Sequence, residues 1–161
     1  MSFNNIFKNK NVLITGHTGF KGSWLSIWLN LLGANVYGFS IDDPTQPSHF
    51  KIAKLRNLLK KDIRSDIRNY KDILSTIKIV KPDFIFHLAA QSIVKKSISS
   101  PLLTWQTNLI GSINILESLK QYKKKCAVVM ITSDKCYENN EWVWGYREND
   151  KLGGNDPYCA S

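Results

Sequence analysis

The stretch Asn11-Val-Leu-Ile-Thr15, followed directly by Gly16-His-Thr-Gly19-Phe-Lys-Gly22, decides the fold of this chain. The apolar run predicts a short buried strand, and the glycines after it recur at every third residue. Apolar residues at helical spacing continue through 23–32, and Gly33 stands where a helix-ending glycine belongs. Strand, glycine loop and helix in this order are typical of a site that binds the phosphates of a dinucleotide.

Each glycine of this loop has a predicted task. The first allows a tight turn, the second lets the backbone approach a pyrophosphate, and the third lets the helix pack on the strand. The helix N-terminus adds N–H groups and partial positive charge. Lys21 has two interpretations, as a cation near the phosphates or as a solvated lysine. The predicted cofactor-binding residues of the loop are Gly16, His17, Gly19, Phe20, Lys21 and Gly22.

The rest of the chain continues the alternation of strands and helices. Further strands are predicted at 36–39, 83–88 and 127–132, and helices at 70–80 and 100–119. Residues 42–48 and 137–157 are predicted loops, the second an irregular loop over a site. This pattern predicts an α/β fold, a doubly wound Rossmann-type parallel sheet with strand order 3-2-1-4-5. Because repeats and linkers are absent from the sequence, residues 1–161 are interpreted as one dinucleotide-binding domain.

Composition excludes several classes of protein. With 43% hydrophobic and 22% charged residues, the sequence is that of a folded domain, and its apolar stretches are too short to span a membrane. Residues 1–10 do not resemble a secretory signal. The three cysteines form no CxxC pair, which favours free thiols in the cytoplasm and no metal site. A formal charge of +9 favours a solvated lysine surface, with nucleic acid or an acidic small substrate as alternatives.

Ordered motifs beyond the glycine loop resemble the extended short-chain dehydrogenase/reductase family. They are Asp66-Ile67, His87-Leu-Ala-Ala90, Thr107-Asn108, Thr132-Ser133-Asp134 and Tyr158. The resemblance implies that Asp66 and Ile67 receive the adenine and that Leu88, Ala89 and Ala90 lie along the cofactor, with Asn108 also at the cofactor site. His87 itself is interpreted as a hydrogen-bonded strand-end histidine and not as a catalytic one.

The cofactor implied by the resemblance is NAD. The acidic residue that usually binds the adenosine ribose is expected near Ser40, which is not acidic. Asp42 or Asp43 could reach the ribose instead, or the ribose is held in another way. No arginine is expected nearby to accept a 2′-phosphate, and this favours NAD over NADP.

Within that family, three segments resemble the CDP-glucose 4,6-dehydratases. They are the glycine loop through Trp24, His87-Leu-Ala-Ala-Gln91, and Thr132-Ser-Asp-Lys-Cys-Tyr137 together with Glu141-Trp-Val-Trp-Gly-Tyr-Arg-Glu148. The resemblance implies a lyase that oxidises CDP-glucose at C4 with NAD, removes water across C5 and C6, and then reduces C6. The alternative is another NAD-dependent nucleotide-sugar epimerase or dehydratase.

The resemblance also implies the catalytic residues. Tyr158 would remove the proton of the C4 hydroxyl, Ser133 would hydrogen-bond the same oxygen, and Asp134 would protonate the departing C6 hydroxyl. Lys135 would assist at C5 only if its pKa were lowered by burial or by neighbouring charge.

The family motif Tyr-x-x-x-Lys begins at Tyr158, and the sequence ends at Ser161, one residue before the lysine position. We therefore expect the N-terminal portion of a dehydratase, inactive or only partly active alone, with a non-catalytic NAD-binding remnant and a basic interaction module as alternatives. The resemblance further implies a cytoplasmic enzyme of dideoxyhexose and lipopolysaccharide O-antigen biosynthesis. Such an enzyme would be a homo-oligomer at full length, with no nucleic-acid or membrane partner.

Overall fold

A parallel five-stranded sheet forms the centre of the protein. The computed structural model describes residues 2–161, and its strands run in the spatial order β3-β2-β1-β4-β5, as the sequence predicts. The strands are β1 Asn11–Thr15, β2 Asn35–Ser40, β3 Lys61–Arg64, β4 Phe84–His87 and β5 Ala127–Met130. The hydrophobic pattern of the sequence does not locate β3.

Helices connect the strands on both sides of the sheet. They are α1 Phe20–Leu31, α2 His49–Ile52, α3 Tyr70–Val80, α4 Val94–Ser99, α5 Pro101–Trp105, α6 Gly111–Lys120 and α7 Pro157–Ala160. Helix α1 begins three residues earlier than predicted, so Gly22 lies in its first turn. The predicted helix 100–119 is present as α5 and α6 joined by a π turn at Gln106–Ile110. Short 3₁₀ turns cover Ser2–Asn5, Leu55–Leu58 and Asp134–Cys136.

The core has two halves, one on each face of the sheet. Leu13 of β1 packs with Ile77 of α3 and Ile115 of α6, whereas its neighbour Ile14 packs with Leu29 of α1 on the other face. Alternation within one strand therefore buries both faces, as expected for a parallel sheet. Each such fully buried side chain contributes about 1.5–3 kcal/mol to stability.

This packing fixes where a ligand site can form. In the registers of the neighbouring strands, Thr15 of β1 pairs with His87 of β4, and His87 pairs with Met130 of β5. The loops that follow these residues consequently leave the sheet along one edge, where parallel α/β sheets bind ligands. Among residues 2–161, no helix is both long and apolar enough to cross a membrane.

Candidate active site

The glycine loop leaves no room for side chains at its first and third glycines. Gly16 has φ +75°, and a Cβ atom there would stand 2.8 Å from the backbone N of Ala89 and the backbone C of Leu88. A Cβ atom on Gly22 would stand 2.2 Å from the carbonyl oxygen of Gly16. The loop is therefore held against the start of α1 and against the segment after β4. Predicted cofactor residues Gly16, Leu88 and Ala89 are direct neighbours.

The N-terminus of α1 is open to an anion. Gly19 precedes the helix with extended backbone, and within residues 2–161 no side chain caps it. The N–H groups of the first turn, at Phe20, Lys21 and Gly22, lack carbonyl partners inside the helix by its geometry. Such groups, together with the helix dipole, form an anion site. The side chains of Phe20 and Lys21 are both exposed.

His17 lies in the loop, but its side chain is part of the core. The imidazole is fully buried, and its Nε2 lies 2.9 Å from Oδ1 of Asp62. The ring occupies the space opposite Gly38, where a Cβ atom would stand 2.3 Å from the ring. Burial lowers the pKa of His17, and the imidazole is neutral at physiological pH. The side chain thus fixes the loop on β2 and β3, and a cofactor contact of His17 stays a prediction.

The carboxyl end of β2 carries the predicted ribose region. Ser40 is buried, and its hydroxyl has no hydrogen-bond partner among residues 2–161. The hydroxyl of Thr18 donates a 2.6 Å hydrogen bond to the carbonyl oxygen of Asp42, which fastens this segment to the glycine loop. The expectation that no arginine stands nearby is wrong, because Arg64 of β3 lines the same cleft as Asp42 and Asp43. Arg64 reaches this cleft because it pairs with Ser40 in the register of β2 and β3.

The predicted adenine residues lie at the carboxyl end of β3. The carboxylate of Asp66 accepts hydrogen bonds from the guanidinium of Arg68, and this contact holds the pKa of Asp66 below its usual range. Asp66 and Arg68 line a cleft of about 520 Å³ with Gln106 and Ile110. Ile67 is 3% exposed and belongs to the core. A contact between Ile67 and adenine therefore stays a prediction. The predicted contact of Asp66 with adenine also stays a prediction, and its carboxylate borders an open cleft.

His87 is hydrogen-bonded through both ring nitrogens. Its Nδ1 lies 2.7 Å from the hydroxyl of Thr15, and its Nε2 lies 3.0 Å from the hydroxyl of Ser112. The Ser112 hydroxyl donates to the carbonyl oxygen of Asn108 at 2.6 Å, so His87 Nε2 must be the donor in its bond to Ser112. Burial lowers the pKa of His87 to about 4. This is the hydrogen-bonded strand-end histidine that the sequence predicts.

The buried neutral His87 predicts a specific dependence of stability on pH. The unfolded chain binds a proton at His87 near pH 6.5, but the folded protein does so only near pH 4, so the free energy of unfolding falls as the pH falls through this range. We expect His87 to account for a loss of about 2 kcal/mol between pH 7.5 and 5. The check is urea unfolding of wild type and His87→Gln at both pH values. Equal losses in the two proteins would contradict the assignment.

Asn108 connects the segment after β4 to the C-terminal end of α7. Its side-chain oxygen accepts from the backbone N–H of Gln91 at 2.8 Å, and its Nδ2 donates to the Gln91 carbonyl at 3.2 Å and to the Ser161 hydroxyl at 2.9 Å. Both amide protons of Asn108 are thereby used. The side chain positions the segment after β4 relative to α7, while direct contact of Asn108 with a cofactor stays a prediction. Ala90 lies exposed in that segment.

The predicted catalytic residues after β5 lie on a short turn. Ser133 precedes the 3₁₀ turn Asp134–Cys136, and its hydroxyl accepts from the N–H of Lys135 at 3.2 Å and lies 3.3 Å from Oδ1 of Asp134. Asp134 and Lys135 are exposed, whereas Ser133 is half-buried. Their side chains are accessible to a substrate at the edge of the sheet.

The loop between Tyr137 and α7 folds back and brings the helix of Tyr158 against the turn 134–136. The segment after Tyr137 returns through a bridge between Tyr137 and Leu152, so that α7 packs against the turn 134–136. The carboxylate of Asp156 caps α7 by accepting from the N–H groups of Tyr158 and Cys159 at 2.8 and 2.9 Å. The structure thus brings the turn that carries Asp134 and Lys135 into contact with the helix that carries the half-buried Tyr158. Their catalytic roles stay predictions.

The tryptophan-rich segment is the irregular loop that the sequence predicts. Tyr146 stacks on Tyr137 with ring centroids 5.2 Å apart, and Trp142 lies 5.4 Å from Tyr146. Trp144 is 68% exposed. These aromatic side chains organise the loop itself, and they are not part of either half of the core.

Three residues of the site escaped the sequence analysis: Thr18, Asp62 and Arg64. Thr18 lies between the glycines of the loop, where the sequence shows no partner for its hydroxyl. Asp62 and Arg64 lie on β3, which forms by pairing with β2 and which no local hydrophobic pattern reveals.

The fold and the glycine loop define a dinucleotide-binding domain of the Rossmann type. The sequence profile of the GDP-mannose 4,6 dehydratase family matches residues 13–161, so the chain belongs to this family. CDP-glucose 4,6-dehydratase of Salmonella typhimurium (strain LT2) is 50% identical over 157 residues, which cover 98% of this chain and 44% of that protein. The chain spans about half the length of the curated relatives that it matches.

Solved structures have the same fold. UDP-glucose 4-epimerase from Thermotoga maritima, solved with UDP-glucose, superposes with a TM-score of 0.81 and 25% identity, covering 93% of this chain and 47% of that one. UDP-glucose 4-epimerase from Thermus thermophilus, solved in complex with NAD, superposes with a TM-score of 0.72 and 25% identity over 92% of this chain and 46% of that one.

Proposed function

We propose that this chain is the cofactor-binding part of an NAD-dependent CDP-glucose 4,6-dehydratase. The observation that carries the proposal is the 50% identity with the Salmonella enzyme over 98% of the chain. The turn 134–136 and Tyr158 lie within residues 13–161, which the family profile matches. A second nucleotide-sugar reaction, epimerisation, is the alternative that the structural similarity to UDP-glucose 4-epimerases favours.

The residues present fit NAD. The N-terminus of α1 is uncapped within residues 2–161, and the close approach of Gly22 to Gly16 leaves backbone in place of side chains where the pyrophosphate would lie. The buried hydroxyl of Ser40 lacks a partner among the same residues, at the strand end where an adenosine ribose is expected. When bound, NAD would supply reversible oxidation and reduction of the sugar.

The residues of this chain then have separate tasks. Tyr158 accepts the proton of the sugar C4 hydroxyl, and Ser133 hydrogen-bonds the same oxygen. Asp134 gives a proton to the C6 hydroxyl as it leaves, and Lys135 would assist removal of the C5 proton only if burial or neighbouring charge in the whole enzyme lowered its pKa. For Tyr158 to act near neutral pH, positive charge must lower its pKa from about 10. The lysine of the family motif Tyr-x-x-x-Lys would supply that charge.

The whole enzyme would act in the cytoplasm as a homo-oligomer and supply the 4-keto sugar for dideoxyhexoses of O-antigen. Free Cys126, Cys136 and Cys159 support a reducing compartment. Exposed apolar side chains along α5, the π turn and α6 support a subunit contact there; they include Leu102, Leu109, Ile113 and Leu116.

The test uses a hybrid enzyme, in which this chain is followed in register by the rest of the Salmonella relative. With NAD and CDP-glucose, we expect a product lighter than the substrate by one water in mass spectrometry. The parent Salmonella enzyme is the positive control. A product of unchanged mass would favour the epimerase alternative and contradict the proposal.

A further inference from the structure

A cleft of about 780 Å³ lies beside the glycine loop at the carboxyl ends of β2 and β3. The N–H of Gly16 donates to the carbonyl of Phe39 at 2.8 Å, and the Thr18 hydroxyl donates to the carbonyl of Asp42 at 2.6 Å, so the loop and the end of β2 are joined. Asp42 follows Gly22 by the roughly 20 residues that separate a glycine loop from a ribose-binding acid. The adenosine ribose of a bound dinucleotide therefore belongs in this cleft.

Arg64 is the residue that would recognise a 2′-phosphate, but two carboxylates already hold it. Its Nη1 donates to Asp43 at 3.0 Å, and its Nε and Nη2 donate to the two oxygens of Asp62 at 2.8 and 3.0 Å. The guanidinium also lies 4.9 Å above the ring of Phe50. The side chains of Asp43 and Asp62 are only 12% and 8% exposed, whereas that of Arg64 is 35% exposed, so water screens these contacts in part.

The other cations of the cleft do not replace Arg64. The Nζ of Lys51 lies 3.2 Å from Asp43 and is thus shared with the same carboxylate. Lys54 and Arg56 line the cleft but are exposed, and solvent and salt screen their charge. A 2′-phosphate adds nearly two negative charges, which Asp42 and Asp43 would repel and the occupied Arg64 could not balance.

We propose that Asp43 and Asp62 make this protein selective for NAD by occupying Arg64, which would bind the 2′-phosphate of NADP if it were released. The proposal rests on the proposed NAD-binding function and names the residues that set its cofactor selectivity. Asp43 is the decisive member, because it also holds Lys51. Asp62 additionally contacts the buried His17, so its replacement would disturb the glycine loop as well.

Isothermal titration calorimetry of wild type and Asp43→Asn with NAD and with NADP tests the proposal. We expect wild type to bind NAD at least about tenfold more tightly than NADP. Asp43→Asn should raise the affinity for NADP relative to that for NAD about tenfold, the gain of one charge-assisted hydrogen bond. Asp43→Asn combined with Arg64→Ala should lose the gain. Glu117→Gln removes one carboxylate from the exposed face of α6 and should leave both affinities unchanged.

Each outcome has a distinct meaning. Wild type that binds NADP as tightly as NAD would overturn the proposed selectivity, and so would an unchanged ratio of the two affinities in Asp43→Asn. Retained NAD binding in Asp43→Asn shows that the variant is folded. If wild type binds neither dinucleotide, the proposed function itself fails, and the selectivity proposal fails with it.

Discussion

In the hybrid enzyme, we expect Tyr158→Phe to lower kcat for CDP-glucose about 10³-fold, within the range that a positioned acid–base group contributes. The change removes only the phenolic hydroxyl, while the cap from Asp156 to the N–H of Tyr158 remains. Because the proposed role of Tyr158 is to abstract a proton and not to hold the cofactor pyrophosphate, KM and the Kd for NAD should change less than about threefold. Steady-state kinetics and calorimetry measure these quantities.

Tyr122→Phe is the matched control for this variant. The Tyr122 hydroxyl donates to the carbonyl of Pro82 at 3.0 Å, at the amino end of β4 and thus at the opposite edge of the sheet. Its loss should leave kcat unchanged. A Tyr158→Phe enzyme that retains kcat within about threefold of wild type would show that another group is the base.

The second large effect concerns the glycine loop. Gly22→Ala would place a Cβ atom 2.2 Å from the carbonyl oxygen of Gly16, so the loop must move away from α1. Overpacking of this kind costs about 1–3 kcal/mol, and we expect the Kd for NAD to rise about 100-fold. Calorimetric titration of the variant with NAD provides the measurement.

Gly145→Ala is the control for Gly22→Ala, because a Cβ atom at Gly145 would meet nothing within 4 Å. It should bind NAD as wild type does. Thermal unfolding of both variants separates a local change of the loop from global destabilisation. A folded Gly22→Ala protein with wild-type NAD affinity would place the dinucleotide elsewhere.

The sequence predicts most of the fold because the central strands are continuous apolar runs. Val12 to Ile14 and Phe84 to Phe86 are short apolar runs bounded by polar residues, as expected for central strands of a parallel sheet, and the glycine loop indicates which strand stands at the centre. Strand β3 escapes prediction because it is short and three of its four residues, Lys61, Asp62 and Arg64, are charged, as edge strands often are. Its existence depends on pairing with β2, which no local pattern encodes.

The sequence predicts where the backbone of the cofactor site lies, but it does not predict where the side chains of Arg64 and His17 lie. The position of Arg64 in the cleft depends on its register opposite Ser40, so the sequence alone gives no reason to place it near Asp43. The burial of His17 depends on the absence of a side chain at Gly38 on a neighbouring strand. Both arrangements follow from contacts between residues far apart in the chain, and only the folded structure contains them.

The most direct test of the central claim compares residues 1–161 with the hybrid enzyme, each supplied with NAD and CDP-glucose. The short chain lacks the lysine position of Tyr-x-x-x-Lys, so a phenolate at Tyr158 costs about 1.4 kcal/mol for every unit by which its pKa stays above the working value. We predict that the short chain binds NAD without turnover, and that the hybrid forms the dehydrated 4-keto product without net consumption of NAD. Turnover by the short chain at the rate of the hybrid, or a folded hybrid that binds NAD but leaves CDP-glucose unchanged, would contradict the account.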